Sequence, residues 1–285
     1  MENEITVIFV SFHSDHIIEK SIQTIDERIR IIVVENSKNL NFKSKLENKY
    51  PNIKVIIPEK NLGNGAGINL GLKNIKTKYA FYLDVDTELF PDTIRNLYTA
   101  AKKIENFSIL APKINNFEYN KNCYLKLSNN FDYPKMRFVT GCALFFETKL
   151  FNEIGYFDEN IFLYYEENDL YERCLQKEKF IYLIQSSKID HKGNASVNKK
   201  YKDEIELNRN WHLMWSTFYF HKKHFGIVEA YRKVLPKLTS ALFNFLFFLL
   251  INKKEKRDIY FARLSGIINS ILGKRSWFRP NLAKK

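Results

Sequence analysis

The sequence predicts an α/β fold, a mainly parallel doubly wound sheet followed by a basic helical extension, and three observations carry that prediction. Short β-branched and aromatic runs alternate with stretches of helical period over the first hundred residues, the βαβ pattern of parallel sheets. One run, Phe81-Tyr82-Leu83, ends in Asp84-Val85-Asp86, two carboxylates at i and i+2, before Pro91 opens a helical pattern. The formal charge of +13 is segregated: residues 196–285 hold 19 Lys and Arg against 6 Asp and Glu, so residues 1–195 are net neutral. With 285 residues and 45% apolar content the chain buries a sizeable core, and wholesale disorder is excluded. We place one domain at 1–200 and the helical extension at 201–285.

Thr6 to Phe12 reads as a buried parallel strand, and Ile17, Ile18, Ile22 and Ile25 follow with helical spacing. Ile31–Val34 is a second strand ending in Glu35-Asn36-Ser37, and Ile53–Ile57 a third, closed by Pro58. Open α/β sheets bind ligands at the carboxyl ends of their strands, so the polar ends after Phe12 and at Glu35 should share a crevice with Asp84 and Asp86. Asn61 to Gly71 packs four of the ten glycines into eleven residues between a strand and a helix. Glycines let backbone approach a ligand, and the helix N-terminus favours an anion; a tight structural turn is the competing reading. The spacing is neither that of a dinucleotide fingerprint nor that of a P-loop.

Pro91–Ile104 reads as a helix, Ser108–Ala111 as a strand, and 113–135 as an irregular insertion near the site. Phe138 to Glu147 reads as a strand with Gly141 at its centre, where a ligand or another backbone would come close. Glu166, Glu167 and Asp169 then cluster at a helix start. The macrodipole and an Asp169–Arg173 pair explain such a cluster structurally, whereas a general base would need one carboxylate crowded in the crevice. A strand over Ile181–Ile184 leads to His191, by itself an unremarkable surface or core histidine. Asp84 and Asp86 suit a hard divalent cation shared with substrate phosphates, although a charged loop would have the same letters.

Three cysteines, Cys123, Cys142 and Cys174, lack metal or disulfide spacing and point to a reducing cytosol. The N-terminus carries no basic region of a signal peptide, and the Asn194-Ala195-Ser196 sequon would stay unused in a cytosolic chain. In the C-terminal third, Trp211, Met214, Trp215 and Phe218 share one helix face suited to core packing against the α/β domain, and Arg209 suits a phosphate or a surface salt bridge. Ala241–Ile251 is the most apolar run, too short by itself to span a bilayer and flanked by Lys222-Lys223, Lys253-Lys254 and Lys256-Arg257. That combination fits a helix lying on an anionic membrane surface; a buried helix or a homo-oligomer contact is the alternative. No nucleic-acid-binding motif accompanies the charge, so no nucleic-acid partner is expected.

Taken together, these stretches resemble the glycosyltransferase family 2 enzymes with a GT-A fold, over residues 5 to about 196. Val33 to Ser37 matches the family's V-D-N-x-S, Asn61 to Gly71 its N-x-G-x-G-x-A-x-N-x-G, and Asp84-Val85-Asp86 its D-x-D. Thr140 to Ala143 stands for G-G-A, Gly155 to Glu159 for G-x-F-D-E, Tyr165 to Leu170 for E-D-x-D-L, and His191 to Ser196 for H-x-G-x-S. The likeness is strongest to the rhamnosyltransferase-type branch of cell-surface polysaccharide synthesis.

The resemblance implies an inverting, metal-dependent transfer of a sugar, dTDP-rhamnose being the first donor to test, from a nucleoside diphosphate to a saccharide or lipid-linked acceptor. Asp86 and His191 would hold Mg2+ or Mn2+. Asp84, Asn61, Gly63 and Gly65 would face the donor, with Ser11, Phe12 and Glu35 around its base. Glu167 would deprotonate the acceptor, with Gly141, Glu166 and Asp169 on the acceptor side or in support. Glu35 and Glu167 each replace an aspartate of the family pattern, adding a methylene but keeping the carboxylate. The expected location is cytoplasmic, peripheral at the inner face of the cell membrane. Two other functions compete. A sugar-phosphate nucleotidyltransferase would need a basic glycine-rich loop where Phe9–Asp15 has neither glycine nor Lys or Arg, and a non-catalytic membrane-binding adaptor would not need these carboxylates.

Overall fold

The computed structural model describes residues 1–125, 132–193 and 197–282. Asn194-Ala195-Ser196, the sequon and the end of the H-x-G-x-S match, lies outside the described residues. The chain divides into two units, Met1–Phe157 with Leu170–Val197, and Asp158–Asp169 with Asn198–Lys285.

In the order of the chain, β1 (Ile5–Ser11), α1 (Ile18–Ile22), β2 (Arg30–Glu35), α2 (Leu40–Lys49), β3 (Ile53–Ile56) and α3 (Asn64–Lys73) realise the expected alternation. They are followed by β4 (Tyr79–Leu83), β5 (Thr87–Leu89), α4 (Thr93–Lys103), β6 (Phe107–Ile114), β7 (Lys135–Met136), β8 (Ala143–Glu147), α5 (Leu150–Ile154), α6 (Glu166–Gln176) and β9 (Phe180–His191). The strands form one sheet in the order β3-β2-β1-β4-β8-β6-β9-β5, with β7 against β9. Pairing is parallel from β3 through β4 and between β6 and β9, while β8 runs antiparallel to both β4 and β6. Helices cover both faces. On one, Val7, Phe9, Val33 and Phe81 meet Ile18, Ile22, Phe42, Leu46 and Leu97; on the other, Ile8, Tyr82 and Leu144 meet Ile68, Leu72, Phe151, Leu170 and Cys174. Burial on both faces is why these strands read as unbroken apolar runs.

Two expectations change. The strand expected over Phe138–Glu147 begins only at Ala143, and Gly141 lies in the turn before it. The Cys142 carbonyl accepts from Asp84 N–H at 2.8 Å, one last rung of the β4–β8 pairing, and before it Thr140 N–H donates to the Tyr119 hydroxyl at 3.1 Å and not to a strand. The ligand-cradle expectation for the glycine-rich stretch also changes, at Gly67 and Gly71. Gly65, Gly67 and Gly71 lie within α3, and a Cβ on Gly67 or Gly71 would stand 2.8 Å from Val10 Cγ1 or 2.6 Å from Ile8 Cγ2. Those two glycines let α3 lie close on β1.

In the second unit, α7 (Lys202–Leu250) is broken at Gly226, whose φ of 85° lies in the left-handed region, and α8 (Lys254–Ile271) returns along it. The face bearing Trp211, Met214, Trp215 and Phe218 is buried within this unit, with Ala230, Val234, Ala262 and Ile267. A Cβ on Gly266 would stand 2.3 Å from the Trp211 carbonyl oxygen, so α8 crosses α7 at backbone contact there. The Ala241–Ile251 run, expected to be too short for a span, is the end of a longer element. Among the described residues α7 alone is long and apolar enough to cross a membrane, with 11% of its apolar window buried.

His212 is fully buried in this unit. Its Nε2 lies 2.9 Å from the Phe278 carbonyl oxygen, which can only accept and so places a proton on Nε2, and its Nδ1 lies 2.9 Å from the Ser276 hydroxyl, which can donate to it in the neutral ring. Burial pushes its pKa down to about 3. Between that value and the ordinary 6.5 the unfolded chain binds a proton that the folded one does not, so stability is complete above about pH 6.5 and declines as pH falls toward 3. We expect an acid-side loss on the order of 4 kcal/mol in denaturant titrations, flattened by His212→Gln. A slope unchanged in His212→Gln would refute this.

Candidate metal and nucleotide site

The site begins at the carboxyl edge of the parallel strands. Register pairs Ser11 with Glu35 and Phe9 with Leu83, so the ends of β1, β2 and β4 present their next residues on one edge. Ser11 and Glu35 are both buried there. Burial pushes the Glu35 carboxyl up, while Ser37 opposes it with N–H at 2.7 Å and with its hydroxyl. Phe12, just beyond β1, sits edge-on to His13 at 4.7 Å. Asn36 fastens the glycine loop to the end of β2, donating to the Gly63 carbonyl at 3.1 Å and accepting from Leu62 N–H at 3.2 Å. Asn61 accepts from Gly63 N–H at 3.0 Å, and Gly63, with φ of 83°, turns the chain into α3. The first turn of this ten-residue helix thus opens at the same strand edge, where a helix N-terminus favours an anion.

Asp84 and Asp86 come next along that edge. The Tyr82 hydroxyl lies 2.5 Å from Asp84 Oδ1 and 3.0 Å from Asn64 Oδ1, tying the carboxylate to the start of α3. Because β5 follows at once and pairs antiparallel with β9, Thr87 stands opposite His191, and Lys192 N–H reaches the Asp86 carbonyl at 3.2 Å. His191 Nε2 therefore lies 3.6 Å from Asp84 Oδ2 and 3.4 Å from Asp86 Oδ1, and one ligand atom from each of the three falls within 4.8 Å of the others. Asp86 is 3% exposed and Asp84 35%. Burial pushes the Asp84 carboxyl up to about 6, aided by the Asp86 charge and opposed by the Tyr82 hydrogen bond and His191. The hydrogen bond to Asp86 raises the His191 pKa against its burial. Two carboxylates and one imidazole fit a divalent cation of the Mg2+ or Mn2+ kind, which leaves its other positions for phosphate oxygens and water.

Beside His191 opens a cavity of about 520 Å³ lined by Glu88, Ile114, Asn115, Asn116, Phe117, Thr140, Asp190 and Lys192. Gly141 adjoins it in sequence, and the turn that holds Gly141 backs onto Asp84 through the Cys142 carbonyl. The 113–135 stretch, expected near the site, supplies part of this wall.

In the second unit, the first turn of α6 carries the other carboxylates. Tyr164 and Tyr165 precede it with φ of 65° and 69°, two left-handed non-glycine residues in a row. Glu166 and Asp169 are buried, and Glu167 keeps part of its surface. Asp169 accepts from Lys223 Nζ at 2.6 Å and from His224 Nε2 at 2.8 Å. Lys223 also reaches Asp158 at 2.7 Å, where the Tyr219 hydroxyl donates at 2.9 Å. Burial works to raise Asp158, and Lys223, Asn160 N–H and Tyr219 together hold it below the usual carboxylate value. Asp169 is thus a strut of this unit. Arg173, expected as its i,i+4 partner, donates to the carbonyls of Gly155 at 3.1 Å and Tyr156 at 2.9 Å.

Several participants were missed from the sequence. Tyr82 stands two residues before Asp84, on the same face of a strand, a spacing that period-two reading can find. Lys223 and His224 stand more than fifty residues from Asp169, and no local pattern announces the contact.

Comparison with known proteins follows the same lines. Residues 6–155 match the model of Glycosyl transferase family 2. An uncharacterized glycosyltransferase of Rickettsia typhi is 24% identical over 264 residues, covering 78% of this chain and 79% of that protein. Among solved structures, a mannosyltransferase from Pyrobaculum calidifontis in complex with GDP-Man and Mn2+ superposes with a TM-score of 0.57 at 11% identity, covering 95% of this chain and 88% of that one. GalNAc-T7 with UDP, GalNAc and Mn2+ gives a TM-score of 0.56 at 13% identity over 78% of this chain and 52% of that one. At these identities the structural likeness speaks for the fold.

Proposed function

The chain belongs to glycosyl transferase family 2 and is a glycosyltransferase of GT-A fold, and from that premise we propose an inverting, metal-dependent transfer of a sugar from a nucleoside diphosphate to a hydroxyl of a saccharide or lipid-linked acceptor. The observation that carries the reading is the convergence of Asp84, Asp86 and His191 at the strand edge, next to the start of α3.

In this reading Asp86 and His191 hold the cation directly and Asp84 orients the nucleotide side, fixed by Tyr82. When bound, the divalent cation neutralises charge that builds on the leaving diphosphate. The first turn of α3, set by Gly63 and pinned by Asn36, offers N–H groups to the same oxygens. Ser11, Phe12 and Glu35 surround the base. Glu167 is the carboxylate of its cluster with surface left to meet an acceptor, and it takes the proton of the attacking hydroxyl. One displacement on the face opposite the leaving group inverts the anomeric carbon. The imidazole in the donor set favours Mn2+ over Mg2+, in keeping with the Mn2+ held by the two structural relatives. dTDP-rhamnose, UDP-sugars and GDP-mannose are the donors to compare.

The test is a screen of these donors for released nucleotide with Mn2+, with Mg2+ and with a chelator. Release with at least one donor, lost in chelator and restored by Mn2+, is the expected result. Metal-independent release, or none with any donor, would overturn the proposal.

A further inference from the structure

Beyond Gly226, the second half of α7 and the returning α8 form an antiparallel hairpin, with Phe245 against Phe261 at 5.9 Å between ring centroids and Phe248 stacked on Tyr260 at 5.6 Å. One side of the helix, through Ala230, Val234 and Ala241, is buried. The other side is not. Val228, Leu235, Leu242, Leu246 and Leu249 recur at helical spacing as an exposed stripe, with Phe243 beside it at 70% exposure and Leu250 at 83%. A contiguous apolar face of this kind on a soluble unit marks an interaction surface.

We propose that this stripe is a docking surface for an anionic lipid bilayer, on which the hairpin lies in the plane of the interface. The proposal stands apart from the chemistry of the donor. Three features select this occupant and this orientation. Residues 227–275 carry ten Lys and Arg against three acidic residues, a charge complementary to anionic headgroups and repulsive toward a second copy presenting the same face. The cations are placed for it, since Lys253, Lys254 and Lys256 are exposed and crowd the hairpin tip. Spanning is opposed by the pairing itself. The second half of α7, at about 1.5 Å per residue, is long enough to cross the hydrocarbon, yet its most apolar turns pack on Tyr260 and Phe261 of α8, directly after the charged run Lys254-Glu255-Lys256-Arg257-Asp258, and the Lys256 ammonium lies 5.3 Å from the Phe248 ring centroid. A hairpin driven across the bilayer would carry those charges into hydrocarbon, whereas one lying flat leaves them in the headgroups.

The experiment is flotation of the full chain with vesicles of phosphatidylcholine alone or with 30% phosphatidylglycerol added. Binding to the anionic vesicles at least tenfold above the neutral ones, reduced by 0.5 M NaCl, is expected. Leu246→Glu, at an exposed position, should lower it tenfold or more with an unchanged circular dichroism spectrum, and Lys253→Glu with Lys254→Glu should erase the preference for anionic lipid. No flotation, or flotation of Leu246→Glu equal to that of the parent chain, overturns the proposal. So does a concentration-dependent dimer in sedimentation that Leu246→Glu abolishes without vesicle binding, which assigns the stripe to a second copy. Membrane protein that resists alkaline carbonate extraction overturns the in-plane orientation.

Discussion

Replacing Asp86 by asparagine is expected to lower sugar transfer by about three orders of magnitude, roughly 4 kcal/mol of transition-state stabilisation. The substitution preserves shape and removes the one nearly buried charge among the three groups that converge on the cation position. Asp84→Asn should cost less, because its carboxylate keeps more exposure and is oriented by Tyr82 toward α3. The two are separated by titrating Mn2+ into each variant. Asp86→Asn should weaken metal binding more strongly, and equal affinity in the parent and Asp86→Asn would remove Asp86 from the role of ligand. Protons compete for the same atoms. With the Asp84 pKa near 6 in the cation-free protein, apparent Mn2+ affinity should fall as pH drops below about 6.

Glu167→Gln is expected to reduce turnover by about 10³, within the range for loss of a general base, while the donor dissociation constant stays within about twofold. Glu166 and Asp169 are buried, and Asp169 is committed to Lys223 and His224, so Glu167 is the carboxylate with surface to offer a substrate. Single-turnover measurements at saturating donor and metal separate the outcomes. Turnover close to that of the parent would refute the assignment, and a large loss of donor affinity would move Glu167 to the donor side. Glu167→Asp, which restores the residue type of the family pattern, should keep a substantial part of the activity.

The parts of the fold legible in the sequence are those written locally. β1 to β4 and the helices among them appear as apolar runs of the right period because both faces of each strand are covered. Asp84 and Asp86 were legible for the same reason, as charges interrupting a buried run. His191 was not legible as their neighbour from periodicity, since its approach depends on β9 pairing antiparallel with β5 across more than a hundred residues. Gly67 and Gly71 show the opposite failure. Their letters suggest a ligand cradle, but the space they leave is filled by Val10 and Ile8. Gly141 was placed inside a strand because apolar residues flank it; the Asp84 to Cys142 hydrogen bond carries the β4–β8 pairing only to Cys142, and Thr140 N–H turns to the Tyr119 hydroxyl instead of a strand partner. The Ala241–Ile251 run was underestimated because Pro236 and Lys237 mask its continuity with the helical residues before it.

The strut from Asp169 to Lys223 and His224 has a geometric consequence. It fixes the turn bearing Glu167 to α7, and α8 joins the two halves of that helix through Trp211, Met214, Val234 and Ile267. A carboxylate carried on the body that also bears the apolar stripe is held at a set height above any surface the stripe rests on. If the stripe docks on lipid and Glu167 is the base, as proposed, the protein would work as a ruler: among hydroxyls of similar chemistry, it would select those standing at that height above the lipid.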